Sequence, residues 1–308
     1  DGGDGVFDAD DAVLFHGEPA SRWTWSSADS AYRYLQNLYT RDNIYWLGVG
    51  GATAGLRAGV SSSAAVNSPV AAVRTYRARL HQEREQYIAV QTHDISSGYA
   101  WYWETFSGNA RRYPLSLPEA ASDTVDLGIG FHTPGSERAT LDVRWNDQTV
   151  RAVSVPASGF WQARVRSTGT VRSGNNYLGL YHTGGGSTRL DHLEAEYRRR
   201  LVAAGGVLLF DGPSGSGPVE FVLAGFAGQT PRIFEVGAGL REIVDPSREG
   251  AAPADTVRFR DQLRARPGRY LALAAGNWLA PEAIELDGGQ DLRALQGGAE
   301  YLVVTHGD

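Results

Sequence analysis

Short runs in which apolar and polar residues alternate cover most of the chain, and they predict β-strands. Clusters of Gly, Pro, Ser and Asp separate these runs and are typical of turns. Because alternate side chains of a strand point to opposite faces, each run can bury one face and expose the other. The predicted strands are Ala12–His16, Ile44–Val49, Val70–Tyr76, Thr124–His132, Thr140–Trp145, Thr149–Val155, Phe160–Val165, Tyr177–His182, Gly206–Phe210, Val219–Ala224, Arg232–Val236, Arg241–Val244, Thr256–Arg260, Tyr270–Ala274 and Tyr301–Thr305.

Few segments show a helical pattern. Asp29–Leu38 begins with an aspartate in the N-cap position, and Leu80–Ala89 is a second predicted helix. Leu190–Leu201 has apolar spacings that fit either a helix face or a strand, so both interpretations stay open. Gly59–Asn67 and the Gly-rich Gly212–Pro218 are predicted to be connections. The large number of strands predicts a mainly β protein built as a β-sandwich of jelly-roll character.

Composition excludes several classes of function. The 308 residues include 29 basic and 35 acidic ones, a net charge of −6, which does not favour binding to nucleic acid or to an anionic membrane. The chain has no Cys, so it has no thiol nucleophile, and all its basic residues are Arg, so it has no Schiff-base lysine. No apolar run is long enough to span a membrane. A start at Asp1 without Met leads us to expect a fragment of a longer protein.

An acidic cluster opens the chain and is the candidate metal site. Asp4, Asp8, Asp10 and Asp11 surround Gly5, and carboxylate oxygens near a sharp turn are ligands that Ca²⁺ prefers. The spacing matches a twelve-residue calcium loop only in part, because the first loop position would precede the chain. A solvated acidic turn is the alternative interpretation.

Three neighbouring aromatic residues, Trp101, Tyr102 and Trp103, form the candidate ligand-binding cluster. Flat aromatic faces beside Glu104 would suit stacking on sugar rings, as in a carbohydrate-binding module. Core packing is the alternative. His81 and Glu83 also alternate, at what we interpret as a strand end, but the seven histidines form no spaced pair typical of a metalloenzyme.

Two further motifs are rejected. The segment from Gly48 to Thr53 follows an apolar run but lacks the last glycine of a dinucleotide-binding loop and the helix that would follow. Ser214 and Ser216 lack the spacing of a serine-hydrolase nucleophile turn.

Several strings along the chain resemble a known family when they are taken in order. DGVFDADDAVLFHGEPASRWTW (4–25) is followed by NLYTRDNIYWL (37–47), HQEREQY (81–87) and SSGYAWYWETF (96–106). LDHLEAEYRRRL (190–201), PRIFEVGAGLREIVDP (231–246), RYLALAAGNWLAPEAIEL (269–286) and EYLVVTHGD (300–308) complete the series. Together they resemble the β-rich region of type IX secretion signal peptidases, the gingipain-like sortases of the Bacteroidetes lineage. Tyr99 and Trp103 depart from the family pattern, which has Arg and Gly there.

The resemblance implies a domain arrangement and a function. Residues 1–65 would form a small N-terminal β segment, 66–285 the β-sandwich, and 286–308 a linker with the first strand, Tyr301–Thr305, of a truncated caspase-like α/β domain. The family's catalytic His and Cys lie in that further domain, and LDHLEAEYRRRL would be a strand.

The chain would then be the non-catalytic region of a secreted or cell-surface cysteine peptidase. Its partners would be its own downstream catalytic domain and a polypeptide cargo. A carbohydrate-binding module and a plain structural spacer are the alternative functions.

Overall fold

The computed structural model describes residues 11–37, 39–48, 57–65, 71–90, 99–135, 137–237 and 239–286. Within them the chain is almost entirely β, and the only helix is a single 3₁₀ turn at Ser63–Ala65. No helix in this part of the chain is long and apolar enough to cross a membrane.

The described residues form twenty-two strands. In chain order they are β1 (Arg22–Ser26), β2 (Ala31–Leu35), β3 (Gly59–Ser62), β4 (Ala72–Val73), β5 (Thr75–Glu83), β6 (Tyr87–Val90), β7 (Tyr99–Tyr102), β8 (Glu104–Phe106), β9 (Ala110–Leu117), β10 (Ala120–Thr133), β11 (Ala139–Trp145), β12 (Gln148–Val155), β13 (Gly159–Thr168), β14 (Gly174–Gly184), β15 (Thr188–Arg200), β16 (Val207–Asp211), β17 (Gly217–Ala224), β18 (Arg232–Glu235), β19 (Arg241–Val244), β20 (Ser247–Glu249), β21 (Thr256–Leu263) and β22 (Arg269–Leu273).

Nine of the strands from β5 to β15 form a first sandwich, and the other two, β6 and β7, pair with each other in a separate two-stranded sheet. One sheet has the order β13-β10-β15-β5, with β8 also paired to β15, and the other has the order β12-β11-β14-β9. The chain passes repeatedly from one sheet to the other, as it does in jelly rolls. The buried side chains of both sheets meet in one hydrophobic cluster that includes Trp145, Phe131 and Leu193.

Strict alternation explains why these segments form strands. In β11 every second residue is buried, from Ala139 through Leu141 and Val143 to Trp145. The hairpin to β12 closes through Asn146 and Asp147, both with positive φ, as a two-residue turn between twisted strands requires. Asn146 also anchors this turn, since its Nδ2 donates to the carbonyl of Thr170 at 2.6 Å.

A second sandwich follows in the chain. One sheet has the order β16-β22-β18-β19-β3, and the other has the order β20-β21-β17-β4. Its hydrophobic cluster includes Phe210, Phe221, Phe259 and Tyr270, whose rings stack or pack obliquely. Tyr76 of β5 packs against the clusters of both sandwiches and lies between them.

The second sandwich includes two strands from early in the chain. β3 pairs in parallel with β19, and β4 pairs in parallel with β17. The sequence predicted Gly59–Asn67 as a connection, which is wrong for β3. Its residues are mostly small and polar and have little strand propensity of their own, so this segment becomes a strand because β19 offers it backbone hydrogen bonds.

The predicted helix Asp29–Leu38 is also wrong. The segment contains β2, which forms a hairpin with β1 in which Trp23 is opposite Tyr34 and Trp25 is opposite Tyr32. Asp29 accepts hydrogen bonds from Ser26 Oγ and Arg33 Nε within this hairpin rather than capping a helix. Alternating aromatics across the pair favour the strand over the helix.

Other predicted elements shift in smaller ways. The helix predicted at Leu80–Ala89 is wrong, because β5 continues to Glu83 and β6 begins at Tyr87. The ambiguous Leu190–Leu201 is resolved as a strand, β15. Residues 12–16 and 44–48, which were predicted as strands, have no regular structure. Tyr301–Thr305 lies outside the described residues.

The predicted β-sandwich class is confirmed, with two sandwiches where one was expected. The domain boundaries at residues 65 and 285 stay predictions. The buried residues of the first hydrophobic cluster extend to Tyr197, and those of the second cluster begin at Leu201. We therefore propose an additional domain boundary between these two residues, within the 66–285 segment.

Candidate functional site

The outer surface of the five-stranded sheet of the first sandwich carries a dense group of titratable side chains. Tyr76, Ala78 and Leu80 of β5 point toward the core, so the residues between them point outward. Neighbouring strands continue the pattern and create what we call the charged face. Its members are Arg77, Arg79, His81 and Glu83 of β5, His192, Glu194 and Glu196 of β15, Asp126 of β10, and Arg164 and Arg166 of β13.

One row across this face is a chain of ion pairs. Arg79 Nε lies 3.2 Å from Glu196 Oε2, and Arg77 Nε lies 2.7 Å from Glu196 Oε1. On the next strands, Arg166 makes a bidentate contact with Asp126, at 2.6 and 2.9 Å. Asp126 and Glu196 are directly opposed like charges, and Arg77 bridges them, since its Nη2 also lies 3.4 Å from Asp126 Oδ2.

The neighbouring row contains two histidines. His81 Nε2 lies 3.0 Å from Glu83 Oε2, and His81 Nδ1 lies 3.5 Å from Glu194 Oε1. The rings of His81 and His192 stack with their centroids 5.0 Å apart, and His192 Nδ1 lies 2.9 Å from Asp191 Oδ2. Two imidazoles and three carboxylates therefore share one partly buried patch.

Two glycines of β10 make room for this patch. A Cβ added at Gly130 would collide with the ring of His192, and one added at Gly128 would lie 2.9 Å from Glu194 Oε2. The absence of side chains at these positions lets His192 and Glu194 fold down across the central strand. The patch is thus built from three strands. β5 and β15 each contribute a histidine and a glutamate, and β10 contributes the two glycines that leave room for them.

The β1–β2 hairpin covers one end of the charged face. Tyr34 stacks on His81 with ring centroids 3.7 Å apart, and the Arg79 guanidinium lies 3.7 Å from the ring centre of Tyr32. Trp23 meets His81 edge to face at 6.3 Å. Aromatic rings over a cation gain electrostatic attraction from the negative ring face. The hairpin is therefore held to the sandwich by cation–aromatic contacts.

The neighbouring charges set the protonation of His81. Burial by itself lowers its pKa, but the carboxylates of Glu194 and Glu83 outweigh burial and raise the pKa above its ordinary value. Burial likewise raises the pKa of Glu194, and the contacts with His81 and His192 reverse this and lower it. Both shifts favour an imidazolium ion between two carboxylates.

We expect a pH-dependent stability from this arrangement. Because the pKa of His81 is higher in the folded chain than in the unfolded one, its stabilisation is complete below pH ~6.5 and is lost as the pH rises through the folded value. Thermal melting of the chain between pH 5.5 and 8.5 should therefore show a falling melting temperature over the upper part of this range.

The variant His81→Phe serves as the control, since it keeps a ring to stack on Tyr34 but cannot titrate. Its melting temperature should change less with pH over the same interval. An equal slope in both proteins would contradict a role for His81.

The chemistry of the charged face is binding and proton exchange. Within the described ranges, no group of three or more His, Asp or Glu side chains is arranged to hold a metal ion. The chain has no Cys, so no Cys–His pair can form in it. When it is protonated, His81 lies between the carboxylates of Glu83 and Glu194 and stacks on Tyr34, which suits it to holding the β1–β2 hairpin to the sandwich.

The candidate calcium ligands lie mostly outside the described residues. Asp4, Asp8 and Asp10 are among the residues that the structure does not describe, and Asp11 is partly buried at the start of the first described range. The calcium site stays a prediction.

The three aromatic residues of the candidate ligand-binding cluster do not share an exposed face. Trp101 is 42% exposed, whereas Tyr102 and Trp103 are buried. Trp103 packs edge to face on Tyr113 at 5.0 Å within the first cluster, and the Arg189 guanidinium lies 5.5 Å from the ring centre of Tyr102. Carbohydrate binding by this cluster stays a prediction.

Sequence reasoning identified part of the charged face and missed the rest. It noted that His81 and Glu83 alternate, which their positions on β5 confirm. It did not single out His192 or Glu194, whose link to His81 depends on the pairing of β5 with β15. Alternating charges at residues 192, 194 and 196 were the available signal, once the segment is treated as a strand.

Comparison with known proteins gives a likeness of fold. No family model matches the chain, and no curated protein matches its sequence. The chain resembles the crystal structure of dimeric latent PorU from Porphyromonas gingivalis, with a TM-score of 0.59 and 14% identity. The likeness covers 85% of this chain and 26% of PorU, so the chain spans about a quarter of that protein.

Two carbohydrate-binding modules match smaller parts of the chain. They are the CBM36-1 domain of a xylanase from the hindgut metagenome of Trinervitermes trinervoides, with 16% identity, and the C-terminal CBM6 of LamC from Zobellia galactanivorans, with 17% identity. Almost all of each module is covered, at 95% and 98%, but only 39% and 38% of this chain. Their TM-scores of 0.27 and 0.26 are too low to support an argument.

Proposed function

We propose that this chain is the non-catalytic β region of a gingipain-like cysteine peptidase of the type IX sortase kind, and that it supports the catalytic domain. The observation that carries the proposal is the likeness of fold to PorU over 85% of the chain. The ordered motifs of the sequence, from DGVFDADD to EYLVVTHGD, support the same family independently of the fold.

Exposed apolar side chains near both ends of the described chain support a scaffold role. Trp46 is 80% exposed and Leu279 is 96% exposed, and other exposed apolar residues lie near each of them in the sequence. Large contiguous apolar surfaces are rare on monomers and usually mark an interface. The full set at the two ends is Val13, Leu14, Phe15, Leu35, Tyr39, Ile44, Tyr45, Trp46 and Leu47, with Trp278, Leu279, Ile284 and Leu286.

The partner that we assign to these surfaces is the catalytic domain encoded after this chain. Because the chain has no Cys, a cysteine peptidase would need its thiolate from that further domain. The parent protein would be secreted or held at the cell surface, and a polypeptide cargo would be its substrate.

The proposal is tested by producing the chain and the segment encoded after it as two polypeptides and measuring their association. We expect a complex, and we expect the double variant Leu279→Asp and Ile284→Asp to weaken it by about 100-fold or more, because a buried apolar side chain contributes about 1.5–3 kcal/mol. The matched control is Tyr177→Ser, which changes a ring that is 39% exposed on the first sandwich.

Three results would contradict the proposal. A downstream segment without a catalytic His and Cys would exclude the peptidase. Absence of any complex would exclude the scaffold role. Peptide cleavage by the purified 308-residue chain alone would show that the chain is itself the enzyme.

A further inference from the structure

An open cavity of about 460 Å³ lies where the two sandwiches and the β1–β2 hairpin meet. Trp23 of the hairpin, Tyr76 and Arg79 of β5, and Phe210 and Asp211 of β16 line it. Its volume falls within the range of ~300–1,000 Å³ that is typical of small-molecule sites. Sites of this kind often form where separate structural units meet, as they do here.

The lining of the cavity is strongly basic. Four arginines, Arg77, Arg79, Arg199 and Arg269, face one carboxylate, Asp211. Neighbouring carboxylates neutralise two of them, since Arg79 Nη1 lies 2.7 Å from Asp211 Oδ2 and Arg77 pairs with Glu196. The other two arginines determine which ligand the cavity can take.

Arg199 and Arg269 lack close carboxylate partners. The Nε of Arg199 is buried without a hydrogen-bond partner, and its Nη2 makes a long hydrogen bond, at 3.4 Å, to the carbonyl of Val202. Among the residues that the structure describes, the polar contacts of the Arg269 side chain are long, at 3.4 Å to the carbonyl of Trp23 and 3.8 Å to Asp211 Oδ1. Asp211 Oδ1 is itself buried without a hydrogen-bond partner. A buried donor such as the Arg199 Nε normally has an acceptor, which ordered water or a bound ligand can supply.

The rest of the lining is mainly apolar or aromatic. Trp23, Tyr76 and Phe210 present rings, and the Arg199 guanidinium lies 6.0 Å from the ring centre of Tyr76. Few neutral hydrogen-bonding side chains are present, and the hydroxyl of Tyr197 already donates to the carbonyl of Pro118 at 3.0 Å. A sugar needs many such groups around its ring, so this lining favours an apolar body over a sugar.

We propose that this cavity binds an organic carboxylate with an apolar or aromatic body, such as the C-terminal residues of a peptide. The carboxylate lies between the guanidinium groups of Arg199 and Arg269, which offer the planar pair of donors that carboxylates accept. The body of the ligand lies against Trp23 and Tyr76. This site is separate from the exposed apolar ends of the chain, and it does not depend on a catalytic domain.

The probe for this site is hippurate, which joins a carboxylate to an aromatic amide. Ligand-observed NMR with the 308-residue chain should show saturable binding with a Kd on the order of 1 mM. Hippuramide, which has the same body without the charge, should bind at least about tenfold more weakly. Galacturonate, a sugar acid, tests whether the cavity accepts a polar ring.

Two variants locate the binding. Arg199→Gln and Arg269→Gln should each weaken hippurate binding at least about tenfold, because each removes a charged hydrogen-bond donor. The control is Arg112→Gln, since Arg112 pairs with Asp147 and does not line the cavity. Circular dichroism of each variant shows whether it folds. If Arg199→Gln does not fold, Arg269→Gln alone decides the outcome.

Equal binding of hippurate and hippuramide would overturn the proposal, and so would absence of hippurate binding. If galacturonate binds more tightly than hippurate, the cavity prefers a sugar acid, and the proposed class of ligand is wrong. Normal hippurate binding by a folded Arg269→Gln variant would exclude this cavity as the site.

Discussion

Replacing Trp145 by alanine should lower the free energy of unfolding of the chain by about 3–5 kcal/mol, the loss typical of large-to-small changes at a buried aromatic residue. Trp145 ends β11, is fully buried, and belongs to the cluster where the two sheets of the first sandwich meet. The change removes the contacts of the indole and leaves a cavity that close-packed neighbours can fill only in part. Urea denaturation followed by circular dichroism measures this loss.

The matched control is Trp101→Ala, which removes the same side chain from an exposed position. We expect its effect to stay within about 0.5–1 kcal/mol, as for surface substitutions away from packed sites. Similar losses for both variants would show that the core of the first sandwich is not where the structure places it.

Replacing Arg241 by glutamine should lower the free energy of unfolding by about 3 kcal/mol. Its Nη2 lies 2.6 Å from Asp261 Oδ2 and 2.8 Å from Glu235 Oε2, and its Nη1 donates to Ser61 Oγ. The side chains of Glu235 and Asp261 are only 6% and 7% exposed. Glu235 keeps a second partner, Arg264, whose Nη1 lies 2.7 Å from Oε1, but among the described residues Asp261 has no other ion pair. Loss of the guanidinium therefore leaves a buried carboxylate without a counter-ion, which costs far more than an exposed ion pair contributes.

Two further variants make this prediction specific. Arg232→Gln breaks a bidentate pair with Glu242 on the adjacent strand, but Arg232 is 45% exposed, so we expect a loss of about 1 kcal/mol or less. Arg241→Lys keeps the charge but loses the fork of donors, and it should fall between the wild type and Arg241→Gln. A loss for Arg241→Gln no larger than that for Arg232→Gln would contradict the structure of this cluster.

The Arg241 cluster also explains how β3 joins the second sandwich. Ser61 lies on β3, Glu235 on β18, Arg241 on β19 and Asp261 on β21. The hydroxyl of Tyr270, on β22, donates to Asp261 at 2.9 Å. Five strands therefore meet at one polar network, although β3 lies about 180 residues before β19 in the chain. Nothing in the local sequence of β3 predicts this contact.

The sequence predicted many of the strands that bury one face, although it missed β9, which buries Tyr113, Leu115 and Leu117. Arg241–Val244 and Thr140–Trp145 match their strands closely, because each alternates between a core face and an exterior face. It failed at Asp29–Leu38, where spacings that fit a helix also fit the aromatic pairs of a hairpin. Whether such a segment forms a helix or a strand depends on the strand that it can pair with, and a short stretch of sequence does not reveal that partner.

The charged face shows the same limit at the level of function. His81 and Glu83 were noticed because they alternate within one strand. His192 and Glu194 reach them only through the register of β5 with β15, more than 100 residues later in the chain. In the sequence, the glycines at 128 and 130 read as ordinary strand interruptions, and only the structure shows that the side chains of Glu194 and His192 cross them.

The sequence by itself determined the β-sandwich class, the absence of a cysteine nucleophile and the positions of most strands in the two sandwiches. These properties depend on composition and on alternation within single segments, which are local. Only the tertiary structure decided the division into two cores, the pairing of β3 and β4 with distant strands, and the basic cavity beside Tyr76. These depend on cross-strand register and on which faces meet, and such long-range contacts are fixed by the packing of the whole chain.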